Sequence, residues 1–283
     1  MPNKVSVKKI DSEINKDADI TLTGLLSYIE RLSRSHPYLY YIARKVAFHL
    51  NIFEKEFDGV SKINFSKKKI NLLDIGSSDG IAIKYINKIK PLKIIYAFEP
   101  NKLYFNQLVK LKNKFNHINC YNFGLSNINK SHTVFVPYFK FLRQIYFMTT
   151  YTFYDLVELK KNLKTNFIFK KNIKIKKLKI KLKKAIVFND AIDLVKIDVN
   201  GHEFSIVKGL KKLILRDKPV FILEELENIT KIQNFMNTYN YECFYYDVKT
   251  KKLTKNNLFR NKNLNFYFLQ KKHIKKIIYK NEK

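Results

Sequence analysis

The chain has 283 residues and a mass of 33.8 kDa, enough for one large domain or two small ones. A hydrophobic content of 46% and an aromatic content of 14% exclude disorder over most of its length. Two cysteines, Cys120 and Cys243, exclude a disulfide framework and a four-cysteine zinc site.

The formal net charge is +31, from 55 basic and 24 acidic residues. Such an excess first suggests nucleic acid or an anionic membrane. The kind of cation weakens that reading: the chain has 49 Lys and only 6 Arg, with 33 Ile and 29 Asn against 7 Ala and 7 Gly. Lys, Ile and Asn use A/T-rich codons, so drift in base composition gives this profile without selection for binding. A surface chosen to grip phosphate would favour the bidentate fork of Arg. Most of the excess is assigned to composition, and an anionic partner stays open as the lesser reading.

In chain order, the first ten residues are charged with no apolar core behind them, so no secretory leader is expected. No apolar run approaches the roughly 18 residues of a membrane span, and the expected compartment is the cytoplasm. Residues 1–57 read as a helical extension. Leu22, Leu25, Leu26, Ile29 and Leu32 recur at helical spacing, and a second helix through Ile42, Val46 and Leu50 follows Pro37. Its aromatic cluster Tyr38, Tyr40 and Tyr41 suggests a packing face, with a homodimer contact as one use.

Residues 58–283 read as one domain of alternating strands and helices. Strands are predicted over 70–75, 93–98, 118–123, 193–199, 219–223 and 241–247, with helices over 81–89, 101–115, 203–215 and 229–239. That alternation implies right-handed crossovers and a mostly parallel sheet with helices on both faces. Leu264 to Leu269 is predicted to pair antiparallel with a neighbour. Residues 131–190 interrupt the rhythm: 133–136 suggests a short strand, 140–170 has no clean period, and 173–182 alternates with one slip, as a strand with a wet lysine face does. Twelve Lys and no acid lie between Lys160 and Lys184, which suggests a basic insertion shaping an acceptor site.

Residues 72–80 read Leu-Leu-Asp-Ile-Gly-Ser-Ser-Asp-Gly. A buried strand ends at Asp74, turns at Gly76 and enters a helix near Gly80. Gly76, Ser77, Ser78 and Gly80 are small enough to let backbone approach a ligand, the logic of a strand-loop-helix nucleotide site. The dinucleotide fingerprint is not met, because Ser78 stands where its second glycine belongs. Asp74 would repel a pyrophosphate and suits a cationic group such as an amino-acid ammonium. Glu99 closes the second strand, where an acid either accepts hydrogen bonds from a ribose or caps the next helix. Pro100 and Asn101 then open that helix.

Asp-x-Gly-x-x-x-Gly followed by Phe-Glu-Pro-Asn resembles the class I methyltransferases that use S-adenosylmethionine. Leu194-Val-Lys-Ile-Asp-Val-Asn-Gly-His-Glu203, then Ile206-Val-Lys-Gly209, then Lys218-Pro-Val-Phe-Ile-Leu-Glu224, is similar to the FkbM family of O-methyltransferases. The resemblance covers residues 70–247. It implies an α/β, Rossmann-like fold with a mostly parallel seven-stranded sheet and a late antiparallel strand. It also implies cofactor contacts at Asp74, Gly76, Ser77, Ser78, Gly80, Glu99, Pro100 and Asn101.

Asp198, His202 and Glu224 are the candidate catalytic residues, at the strand edge where ligands of open α/β sheets lie. Asp198 is the candidate acceptor-facing acid. His202 is either a base or a helix-start surface residue, and Glu203 is read as a helix cap or a partner of Lys208. Asn200 replaces the family's glutamate, and Leu182-Lys-Lys-Ala185 stands where the family has Leu-Asp-Asp. Both departures remove acid, which leaves a divalent metal open and admits an inactive homologue.

The resemblance implies O-methylation of a sugar hydroxyl in a surface glycan or secondary metabolite. An anionic or lipid-linked acceptor and a peripheral membrane contact would suit the lysines. Nucleic-acid methylation is the alternative. The Asn/Asp-Pro-Pro-aromatic run of amine methyltransferases is absent, and neither cysteine suits a carbon-5 enzyme. Ribose 2′-O-methylation stays open.

Overall fold

The computed structural model describes residues 37–50, 54–148, 151–166, 172–184, 188–224, 229–255 and 265–274. The helix predicted through Leu22 and Leu32 lies outside them. Of the 1–57 extension, the described parts are helix α1 (Pro37–Leu50) and the start of a 3-10 segment, Lys55–Lys62.

The central layer begins with β1 (Ile70–Ile75), helix α2 (Ile81–Ile89), β2 (Leu92–Phe98), helix α3 (Lys102–Leu108) and β3 (Ile118–Tyr121). It resumes with β8 (Leu194–Ile197), helices α5 (Glu203–Gly209) and α6 (Lys211–Asp217), and β9 (Val220–Glu224). Helix α7 (Ile229–Asn237), β10 (Glu242–Asp247), β11 (Lys252–Lys255) and β12 (Asn265–Leu269) complete it. The eight strands run in the order β11-β10-β12-β9-β8-β1-β2-β3. The pairings from β9 through β3 are parallel. Strand β12 inserts between β9 and β10 and is antiparallel to both. The sequence thus yields seven of these strands. The eighth, β11, is the short Lys-Leu-Thr-Lys edge of a hairpin with β10, too brief and polar to show a period.

Both faces of the sheet are covered, which is why β1 is buried at all six positions. Ile70 and Leu72 pack with Ile83 and Ile86 of α2 and with Phe57 and Val60 of the 3-10 segment. Leu73 and Ile75 pack with Ile206, Leu213 and Ile232 on the other side. The single helix predicted over 203–215 is two helices. A Cβ on Gly209 would stand 2.8 Å from the Ser126 carbonyl oxygen, so the chain passes β4 at a glycine and re-forms a helix at Lys211.

The insertion builds a second sheet, in the order β4-β7-β5-β6. Its strands are β4 (Gly124–Ser126), β5 (Lys130–Phe141), β6 (Gln144–Phe147) and β7 (Lys174–Lys184), with helix α4 (Leu156–Asn166) between β6 and β7. Antiparallel β5 and β7 pair over nine positions, from Lys130↔Leu182 to Tyr138↔Lys174. Ile180 and Leu182 face Val134 and Val136 in one small core, while Lys177, Lys179, Lys181 and Lys183 stand exposed. The slip in the alternation falls at Lys176 and Lys177, both exposed. On the other face, Tyr38 and Tyr41 of α1 join Phe139, Leu159 and Leu163. Among the described residues no helix is long and apolar enough to cross a membrane.

Candidate functional site

The loop after β1 is fixed by its own backbone. Gly76 and Ser77 both donate N–H bonds to the Phe98 carbonyl of β2, at 2.9 and 3.0 Å. The Ser77 hydroxyl donates to the Asp74 carbonyl at 2.9 Å, and Asp79 accepts from Ile81 N–H at the start of α2. Gly76 has φ +79°, and a Cβ there would stand 1.8 Å from the Asp198 carbonyl oxygen. Glycine is therefore required because the β1 and β8 loops touch backbone to backbone. Gly80 has φ +80°, and its Cβ would meet the Leu111 side chain at 2.2 Å, so its smallness serves packing against the segment after α3.

Glu99 clasps two elements. Its Oε2 accepts the Ser78 N–H at 2.8 Å and its Oε1 accepts the Asn101 N–H at 2.7 Å. Burial raises its carboxyl to about 7 against those two donors and Lys196. Asn101 caps α3 by accepting from Leu103 N–H at 3.0 Å. Pro100 packs where a Cβ on Gly124 would come within 3.5 Å of its ring.

Lys196 is the hub of the site. Register places it beside Asp74 on the neighbouring strand. Its Nζ lies 3.3 Å from Asp74 Oδ1 and 3.4 Å from Asp198 Oδ2, and donates to the Gly76 carbonyl at 3.2 Å. The Lys196 and Asp74 side chains are 4% and 0% exposed, that of Asp198 31%. Burial alone would push the ammonium down, but Asp74 and Asp198 more than reverse it and hold it above the ordinary lysine value. Burial leaves the Asp74 carboxyl raised despite Lys196. The cation that meets Asp74 is thus the chain's own.

Glu224 ends β9 in register with Asn265 of β12. The charge of Asp198, then burial and Glu54, push its carboxyl up to about 9, so it carries a proton at neutral pH. Glu54, outside every sequence motif, accepts from the Asn265 amide at 2.7 Å. Its carboxyl is raised by burial, with Asp198 and Glu56 adding to the effect. The charged neighbours of Lys196 are therefore carboxylates, while the lysines of β7 face outward.

The insertion crosses the same edge. Thr152 accepts the Asn200 amide on its carbonyl at 3.0 Å and the Asn101 amide on its hydroxyl at 3.4 Å. Asn200 takes φ +53° and Gly201 φ +102°, a turn that Asn tolerates. Glu203 accepts from Val199 N–H and Gly201 N–H at 3.0 and 2.9 Å, which fixes the turn that leads into α5. His202 Nε2 lies 3.1 Å from Ser126 Oγ, and its ring stacks on Tyr154 at 5.1 Å. Burial, with Lys130 and His132 nearby, pushes His202 down to about 4. The structure thus gathers Asp74, Asp198 and Glu224 around Lys196 and gives His202 a different set of partners.

The donor set fits S-adenosylmethionine. Ser78 Oγ is buried in the loop with no partner, at φ +53°. Two of the roughly four lone-pair sites of Glu99 are used by backbone, which leaves two for ribose hydroxyls. Carboxylates nearby favour a sulfonium and an ammonium over a phosphate. Among the described residues no three His, Cys, Asp or Glu side chains are grouped to hold a metal ion.

The Methyltransferase FkbM domain family matches residues 74–243, more than half of the chain. No curated protein matches it. Among solved structures, the chain is similar to methyltransferase FkbM from Methylobacillus flagellatus KT, at 14% identity and a TM-score of 0.44. That match covers 74% of this chain and 48% of the other, so the chain spans about half the length of that relative. It is also similar to TrmK of M. capricolum in complex with S-adenosyl-homocysteine, at 14% identity, 80% and 72% coverage and a TM-score of 0.37. The plantazolicin methyltransferase BpumL in complex with the same product matches at 12% identity, 71% and 60% coverage and a TM-score of 0.31. On the family match, over the segment that carries Asp74, Glu99, Lys196, Asp198 and Glu224, the chain belongs to the FkbM methyltransferase domain family.

Proposed function

We propose that the chain transfers a methyl group from S-adenosylmethionine to a hydroxyl oxygen, the acceptor being a sugar of a surface glycan or secondary metabolite. The observation that carries this reading is a partly exposed carboxylate, Asp198, held by Lys196 beside the Gly76 loop. When bound, S-adenosylmethionine supplies an electrophilic methyl group. The chain's own work is positioning and proton handling, which in-line displacement mainly demands. Glu99 and the loop orient the donor. Asp198 accepts the hydrogen bond of the acceptor hydroxyl and takes its proton. Glu224, protonated at neutral pH, can donate a second hydrogen bond to the acceptor. His202, held near 4 and engaged with Ser126, takes no proton in this scheme. The proposed compartment is the cytoplasm.

Calorimetric titration with S-adenosylmethionine and methyl-transfer assays on glycan acceptors test the reading. Wild type and Asp198→Asn should bind the cofactor alike, with transfer falling by about 10²–10⁴ in the variant. Unchanged transfer removes Asp198 from the chemistry, and a wild type that binds no cofactor removes the enzyme. Transfer to RNA, with affinity falling steeply with salt, would put a ribose hydroxyl in place of the glycan.

A further inference from the structure

The turn between β5 and β6 carries a sequence that the fold alone does not favour. Phe141 pairs with Gln144, so the connection has two central residues, Leu142 and Arg143, at φ 45° and 64°. A two-residue turn with both centres left-handed suits Asn-Gly, and side chains such as Leu and Arg are strained there. Leu142 is 79% exposed at the tip and Ile145 is 52% exposed beside it. Helix α1 begins at the same place, since Tyr38 stacks on Phe141 at 4.0 Å. From there Leu39, Ile42 and Val46 recur at helical spacing and are 40–49% exposed.

The cations are set around this apolar edge. Lys45, Lys140 and Arg143 are exposed, and neither Pro37–Leu50 nor residues 130–147 contain an Asp or Glu. We propose that this edge docks on an anionic lipid bilayer, with Leu142, Ile145 and the α1 stripe entering the headgroup boundary and Arg143, Lys140 and Lys45 among the lipid phosphates. Soluble anions would make no use of the apolar tip. A second copy of the chain would bring like charges together. The surface is independent of the proposed methyl transfer.

The test is co-sedimentation of the full chain with phosphatidylcholine vesicles, with and without phosphatidylglycerol. Wild type should bind the anionic vesicles and leave the neutral ones. Leu142→Asn removes the apolar tip yet suits the left-handed turn. It should melt at or above the wild-type temperature and bind roughly tenfold more weakly or worse. Arg143→Gly should lose about fivefold. Wild-type-like binding by Leu142→Asn, or no wild-type binding to either vesicle, overturns the proposal. So does a dimer in light scattering that Leu142→Asn abolishes, which would make a second copy the occupant.

Discussion

Replacing Lys196 by Met tests whether the carboxylate cluster is held together by one cation. The side chain is 4% exposed and the Asp74 it faces is 0% exposed. Met fills nearly the same volume, so the loss is electrostatic. Asp74 would be left buried with a charge and no cation beside it, and breaking a buried pair from one side costs about 3–5 kcal/mol. Against a total stability of roughly 5–15 kcal/mol, that is a large share. The sign of the pH dependence follows from the raised carboxyl. With Lys196 gone, burial holds the folded-state value of Asp74 still further above that of the unfolded chain. The stability linked to that proton is present below the ordinary carboxylate range and is lost as pH rises through the shifted value. Urea unfolding followed by circular dichroism should therefore show a small deficit near about pH 5 and the full deficit near about pH 8. The double variant Asp74→Asn/Lys196→Met removes both charges and should recover most of the loss. A single-variant deficit under about 1 kcal/mol at both pH values, or a double variant no better than the single, refutes the account.

Glu224→Gln should stabilise the chain near neutrality, because Glu224 keeps a proton in the fold that the unfolded chain has already released. Wild type should lose stability as pH rises from the ordinary carboxylate range to about 9 and level off above it, and the variant should not. Thermal melting across that range reads the difference, and parallel curves would contradict the assignment. Gly76→Ala should fail to reach the native state or lose about 4 kcal/mol or more in urea unfolding, since its Cβ would sit 1.8 Å from a carbonyl oxygen. A soluble variant within about 1 kcal/mol of wild type would mean that the two loops can separate.

The ends of the parallel strands are legible because each is an apolar run stopped by a small or acidic residue, at Gly76 just after Asp74, and at Glu99, Asp198 and Glu224. Their meeting at Lys196 is not. The lysine of Leu-Val-Lys-Ile belongs to the motif, but only strand register sets it beside Asp74. Glu54 and Asn265 fall outside any motif, and only the tertiary path of the 3-10 segment brings Glu54 to the edge. The loop glycines carry a further role that spacing does not show: Gly76 makes room for Asp198 and Gly80 for Leu111. Strand β6 has only four residues, too few to show a period, and helix α4 buries Leu159 and Leu163 but exposes Val157, which blurs its apolar stripe.

The contact between Gly76 and the Asp198 carbonyl joins one backbone to another. Such a joint is indifferent to the identity of the surrounding side chains. A chain whose composition has moved far toward Lys, Ile and Asn can exchange most of its surface and much of its core by like-sized residues. The separation between the Gly76 loop and Asp198 survives each exchange as long as position 76 stays glycine. The single least substitutable residue of the site is thus the one that carries no chemistry.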